Sequence, residues 1–217
     1  MRASTLSKEP TMEKYDVKKS HKALYSPTAK EFSAVTVPPL QYIAVDGHGD
    51  PNTAPAYAGA IEALFSVAYT LKFESKGSLG KDFVVGPLEA LWSADDMAAF
   101  VSRDKSAWDW TAMINQPEWV SEGMVVAAVA KLATKKPSPA LELLRLITLD
   151  EGECIQILHV GSYDDEAPTL ELLHESYMPE HRLRFNGRHH EIYLSDARRT
   201  EPSKLKTVLR QPVTRAD

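Results

Sequence analysis

Apolar and polar positions divide the chain into two similar runs of elements. Residues 32–37 and 40–45 are apolar and β-branched around Pro38-Pro39, and predict a first strand region. Asp46-Gly47-His48-Gly49-Asp50-Pro51-Asn52 has turn composition. Over residues 54–73, Tyr57, Ile61, Leu64, Phe65, Ala68, Tyr69 and Leu71 follow a period near 3.6, which predicts a helix. Residues 74–80, with Gly77 and Gly80, read as a loop, 82–92 as a strand, and 93–105 as a polar connection. Residues 108–114 alternate and are aromatic, a strand signal ended by Pro117. Ser121 and Glu122 then open a helix over 122–134, with Lys131, Lys135 and Lys136 near its end, where the helix dipole favours cations.

After Pro137-Ser138-Pro139 the order repeats. Residues 143–150 and 154–160 read as a hairpin turning at Gly152, and Gly161-Ser162-Tyr163-Asp164-Asp165 is a second glycine turn. A helix over 166–177 presents Leu170, Leu173 and Tyr177, residues 182–187 form a loop, and 190–194 is the last core strand. Residues 195–212 read as a polar tail, with a short helix over 202–210. Residues 1–34 form an N-terminal arm or extension: Met12 offers a second start, and residues 16–25 suit a short helix or an extended arm that needs docking to be ordered.

Each half places a carboxylate in an apolar strand, Glu89 within Pro87-Leu88-Glu89-Ala90-Leu91-Trp92 and Glu191 within His189-His190-Glu191-Ile192-Tyr193-Leu194. A buried charge is costly without a partner or a task. Two in corresponding places predict a pseudo-twofold α/β (α+β) fold, one domain over 35–213 built from halves near 35–136 and 140–213, with an acidic cleft on the axis. The interval from turn glycine to glutamate is about twelve residues longer in the first half, which a longer first helix and its loop absorb.

Strand alternation puts Glu191 on one face with His189 and Tyr193, while Ile192 and Leu194 face the other way. In an apolar-lined pocket within reach of a tyrosine hydroxyl, such a carboxylate serves as a general base or binds a cation. Satisfied by Arg188, it is structural. Glu89 is open to both readings, the structural one being a bond to backbone or to a tyrosine hydroxyl. Trp92, Trp108, Trp110 and Trp119 fall within residues 92–119, and suit either a core or an aromatic wall for a planar or amphipathic ligand. Tyr69, Glu89, Trp92, Trp108, Trp110 and Tyr163 are the candidate ligand-binding residues, and Glu191 and Tyr193 the candidate catalytic pair.

Composition narrows the function. A formal charge of -5 and a pI near 5.8 disfavour non-specific nucleic-acid binding. The single Cys154, in a strand pattern, excludes an intrachain disulfide and reads as a small buried residue. No apolar run is long enough for a transmembrane helix and the N-terminus shows no signal peptide, so the expected location is cytoplasmic. Adjacent His189 and His190 point to opposite faces of a strand, so no metal site is expected. Phosphate-cradling and dinucleotide motifs are missing, so no cofactor is expected.

Several separated motifs, in order, resemble GyrI-like proteins. They are His190-Glu191-Ile192-Tyr193-Leu194-Ser195-Asp196 with Arg198-Arg199-Thr200 and Lys204-Leu205-Lys206-Thr207, together with Gly47-x-Gly49-Asp50-Pro51-Asn52, Tyr57 with Ala60, Tyr69-x-x-Lys72-Phe73, and Pro87-Leu88-Glu89-x-Leu91-Trp92. The resemblance runs from about Met12 to Val213 and implies two β-α-β-β units around a central ligand cleft, the GyrI-like effector-binding fold. Multidrug-sensing transcription factors use this domain with a cleft glutamate facing cationic drugs, beside a DNA-binding domain that this sequence lacks. The stand-alone branch, which the first-half motifs resemble, includes hydrolases that open the cyclopropane of DNA-alkylating natural products, using a cleft glutamate and aromatic residues. Glu191 matches that glutamate's motif; Tyr69 and Trp92 lie in recognisable motifs. The resemblance therefore implies detoxification by water addition. The other reading it carries is a non-catalytic module that binds amphipathic cations or a protein partner such as DNA gyrase.

Overall fold

In the computed structural model, residues 14–94 and 104–216 are described. The second start at Met12 and most of the polar connection after Trp92 lie outside them. Two short helices, α1 (Val17–Ser20) and α2 (Lys22–Tyr25), precede β1 (Ser33–Val37) and β2 (Leu40–His48). The first half continues with α3 (Pro55–Glu74), β3 (Leu88–Ser93), β4 (Asp109–Gln116) and α4 (Glu122–Ala133). The second half contains α5 (Pro139–Leu143), β5 (Arg145–Leu149), β6 (Gly152–Val160), α6 (Ala167–Glu171), α7 (Met178–Glu180), β7 (Leu183–Phe185), β8 (His189–Tyr193) and β9 (Lys206–Arg215).

The strands form one antiparallel sheet in the order β1-β6-β9-β8-β3-β4-β2-β5, with β7 beside β9. The order is palindromic about the β8–β3 pair: β3 corresponds to β8, β4 to β9 and β2 to β6. The first strands exchange, β1 pairing with β6 and β5 with β2. A pseudo-twofold axis therefore passes between β3 and β8, as the repeated element order predicts.

The equivalence of the two glutamates does not hold. Across the β3–β8 ladder Ala90 is opposite Glu191, and Glu89 is opposite Ile192. Residues directly opposite share a face, so Glu89 and Glu191 point to opposite sides of the sheet. An even offset preserved their motif, but the register needs an odd one.

One side carries the long helices. On α3, Tyr57, Ala60, Leu64, Val67, Ala68 and Leu71 form a buried stripe, and its alanines allow a close approach to Val45, Ala90 and Ala112. Pro55 starts α3, and a π-helical turn over Ser75–Leu79 ends it at Gly80, which has φ 65°. Ser121 caps α4 by accepting from the Met124 amide at 3.3 Å. Between α6 and α7 the segment Leu172–Tyr177 is π-helical. Leu173 and Met178, five residues apart, therefore both reach Ile155 and Val213, a spacing outside the 3.6 period expected there. The opposite side is covered by α1 and α2, through Val17, Leu24 and Tyr25 against Leu91, Ile192 and Val208.

Two boundaries differ from expectation. The strand expected from residue 82 starts only at Leu88, because Phe83 forms an isolated bridge with Tyr15 and Pro87 has no amide to give. The expected polar tail is instead β9, at the heart of the sheet between β6 and β8. Buried from Thr207 through Val213, it lacks the alternation of a half-exposed strand, and Arg210 and Gln211 disguise it as a loop. Among the described residues no helix is long and apolar enough to cross a membrane.

Gly47 lies within β2, not in a turn. A Cβ there would stand 2.1 Å from the Trp110 ring. Gly47→Ala is expected to cost about 1–3 kcal/mol through displacement of that indole, read as a lower urea midpoint with loss of near-ultraviolet tryptophan dichroism.

Candidate functional site

The helix-side surface at the β3–β8 centre gathers the cleft residues. Cross-strand pairing sets Trp92 against His189, Ala90 against Glu191 and Leu88 against Tyr193, while β4 adds Trp110 beside Trp92. The small Ala90 leaves the flank of Glu191 without a bulky opposing side chain. The Glu191 side chain is 14% exposed. The Tyr193 hydroxyl donates to Glu191 Oε2 at 2.7 Å and accepts from Trp92 Nε1 at 3.2 Å. His189 Nε2 is 3.5 Å from Glu191 Oε1, and neither ring nitrogen of His189 has a hydrogen-bond partner among the described residues. Arg188, the alternative partner for Glu191, instead donates to the Thr111 hydroxyl at 2.8 Å.

Aromatic rings surround the carboxylate. Trp92 meets Trp108 edge-on at 5.6 Å, Tyr57 meets Trp92 at 5.9 Å and Trp110 at 4.9 Å, and Tyr163 meets Tyr193 at 5.5 Å. The fold thus brings together Glu191, Tyr193, Trp92, Trp108, Trp110 and Tyr163. Tyr69 is not in this group: it is 49% exposed, and lies three turns beyond Tyr57, about 18 Å along α3. Glu191 does not line either of two cavities of about 250 Å³. One is bordered by Ile155, Tyr177, His181 and Arg215, the other by Tyr15, Gln41, Gln116 and Trp119.

Sequence reasoning passed over a second carboxylate here. Glu166, just before α6, is 4% exposed, and its Oε1 has no hydrogen-bond partner among the described residues. Burial and the charge of Glu191 push its carboxyl up to about 9, with the Thr207 hydroxyl and Lys105 pulling the other way. Burial and then Glu191 also hold the Tyr193 hydroxyl far above its usual range. Tyr163 is raised to about 12 by burial, Glu166 and Glu191. His174 is lowered to about 4 by burial and by His189. Only the position of Glu166, after the second turn and at the start of the expected helix, hinted at it.

Glu89 belongs to another assembly on the opposite side. It is fully buried, accepts from the Tyr25 hydroxyl at 2.7 Å and is 3.0 Å from His190 Nε2. His190 Nδ1 is 3.0 Å from both oxygens of Glu151, which Arg210 also meets at 3.3 Å. Arg210 continues to Gln156 at 3.2 Å and to the Leu24 carbonyl at 2.8 Å. Burial would lower His190, but the carboxylates of Glu151 and Glu89 outweigh it and raise it. Two carboxylates and two cations balance, and the assembly ties the α2 segment to the sheet. His189 and His190 thus face opposite sides, as strand alternation requires. Cys154 is buried, its thiol pushed up to about 12 by burial and Glu151.

A central acidic residue under aromatic rings, on the axis of a duplicated antiparallel sheet, defines a small-molecule-binding fold. The GyrI-like small molecule binding domain matches residues 30–214, and the chain belongs to that family. An uncharacterized conserved protein from Listeria innocua is similar at 38% identity and a TM-score of 0.85, over 93% of this chain and 100% of that one. A hydrolase from Listeria innocua is 36% identical, with a TM-score of 0.80 and the same coverage. The C-terminal domain of EcmrR shares the fold alone, at 9% identity and a TM-score of 0.54, over 86% of this chain and 98% of that one. No curated protein matches the chain.

Proposed function

We propose that the protein is a hydrolase that adds water across the cyclopropane of planar, DNA-alkylating cyclopropanoids, and so detoxifies them. The observation that carries this reading is Glu191, fixed at one oxygen by Tyr193 and flanked by aromatic rings. The similarity to a Listeria innocua hydrolase supports it. Oε2 is engaged by Tyr193, so Oε1 is the oxygen that takes a proton from water. The ligand's planar units lie against Trp92, Trp108 and Tyr163, whose ring faces suit flat, weakly polar surfaces.

The bond changes balance. Water oxygen attacks the ring methylene, one cyclopropane bond breaks, and its electron pair passes through the dienone to the carbonyl oxygen. One water proton goes to Glu191, and the phenolate formed at the former carbonyl oxygen takes up a proton to give the phenol. Conversion of the dienone chromophore to a phenol, followed by absorbance in the presence of protein, tests the reading. An unchanged spectrum over many hours would refute it.

Tyr193 orients the base. Tyr193→Phe removes the donor to Glu191 Oε2 and leaves the Trp92 indole N–H without its acceptor. The expected result is a fall in kcat of about ten- to a hundredfold, a cost typical of lost charge-assisted bonding, with a smaller change in KM. Steady-state kinetics check it.

The acidic residues among aromatic rings also favour a second reading, a module that only binds amphipathic cations. It predicts affinity for lipophilic cations without any turnover.

A further inference from the structure

Tyr193 has one proton, and it is directed at Glu191. The carbonyl oxygen that gains electron density on ring opening therefore needs a different donor. Tyr193 pairs across the ladder with Thr207, so Thr207 faces the same side of the sheet as Glu191. Glu166 is set beside Thr207 and within electrostatic reach of Glu191. It follows Tyr163 by three residues, and the Tyr163 ring packs on that of Tyr193. A carboxyl buried to this extent, with an oxygen left unpaired among the described residues, is unusual in a folded protein and marks unmet hydrogen-bonding capacity.

We propose that Glu166 is held as a neutral carboxylic acid and donates the proton to the substrate's carbonyl oxygen while Glu191 takes one from water. This inference rests on the hydrolase reading and assigns the second half of its proton balance. The two carboxylates then divide the work of acid and base, as pairs with separated proton affinities do in other enzymes. The raised affinity of Glu166, up to about 9, has its cause in burial and in the Glu191 charge. The other groups acting on Glu166 are Lys105, ahead of β4, and Asp164, on its own turn. Tyr163 and Tyr193 feel its charge in return. After one turnover Glu191 carries the proton that Glu166 has lost, and exchange with solvent restores both.

Two measurements test the assignment. The first needs no turnover: infrared spectra of the ligand-free protein at neutral pH. The expected carboxylic-acid carbonyl band disappears in Glu166→Gln and persists in Glu191→Gln. Absence of the band in wild type, or its survival in Glu166→Gln, overturns the proposal.

The second is the pH profile of ring opening of a spirocyclopropyl cyclohexadienone. Wild-type kcat/KM should fall on the alkaline side with a limb near 9. Glu166→Gln should lose that limb and about a hundredfold or more in rate, the usual scale for a missing general acid, with KM little changed. If Glu166→Gln fails to fold, the wild-type band and alkaline limb still decide the matter. Turnover in wild type that is unchanged in Glu166→Gln overturns the acid role alone. No turnover in wild type overturns the hydrolase reading on which it rests.

Discussion

Glu191→Gln is expected to abolish ring opening while leaving ligand affinity within a few fold of wild type. Glutamine has nearly the shape of glutamate, so its amide retains the contact with the Tyr193 hydroxyl and the rings of Trp92 and Tyr163 keep their places. What is lost is a group able to accept a proton from water at neutral pH. General bases typically contribute about a hundred- to ten-thousandfold. Glu191→Ala should also perturb affinity, because it removes the anchor of the Tyr193 hydroxyl along with the base. A pure binding module gives the reverse pattern: the glutamine variant loses affinity for lipophilic cations, with no turnover to lose. Hydrolysis rates and dissociation constants for both variants separate the two.

The second large effect is on stability and arises on the other side of the sheet. His190→Ala would leave Glu89 and Glu151 facing each other's surroundings without the imidazole that bridges them. Removing one partner from a buried ion pair typically costs about 3–5 kcal/mol, and here two carboxylates lose a partner at once. The α1–α2 segment is tied to this assembly through Tyr25 and the Leu24 carbonyl. Urea unfolding should show the loss, and hydrogen exchange should show residues 15–25 opening first. Equal exchange protection of that segment in variant and wild type would contradict the account.

The pH dependence follows with its sign. The Glu151 carboxyl is lowered from 4.5 to about 2; burial opposes this, and His190 and Arg210 overcome it. Its folded value is depressed, so its contribution is present above about 4.5 and is lost as pH falls toward 2. His190 is raised above 6.5, so its contribution is complete below that value and is lost as pH rises through the folded value. Urea midpoints measured from pH 2 to 5 should therefore fall on the acid side in wild type, and fall less steeply in Arg210→Met.

Much of this architecture was legible in the chain. The period of α3, the Ser121 cap, the second glycine turn and the Glu191 strand all carry local signals, and each formed where its pattern indicated, whereas the first glycine turn begins only after β2 ends at His48. Strand β9 did not, because a strand buried on both faces need not alternate and its Arg210 is satisfied by partners more than fifty residues away. Glu89 was misassigned to the cleft axis because a motif repeat fixes order but not register, and one residue of register changes the face. Glu166 was passed over because the groups that act on it, Glu191 and Thr207, are supplied by strands far along the chain. The aromatic cluster was legible as composition, but which rings meet Glu191 depended on the β3–β4 and β3–β8 ladders.

The most direct test of the central claim is mass spectrometry of a cyclopropane-fused dienone incubated with the protein in isotopically labelled water. Glu191 acting as base at this cleft predicts a product heavier by one labelled water, a phenol, formed many-fold faster with wild type than with buffer or with Glu191→Gln. Recovery of unreacted dienone bound to wild-type protein, or equal product from wild type and Glu191→Gln, would contradict it.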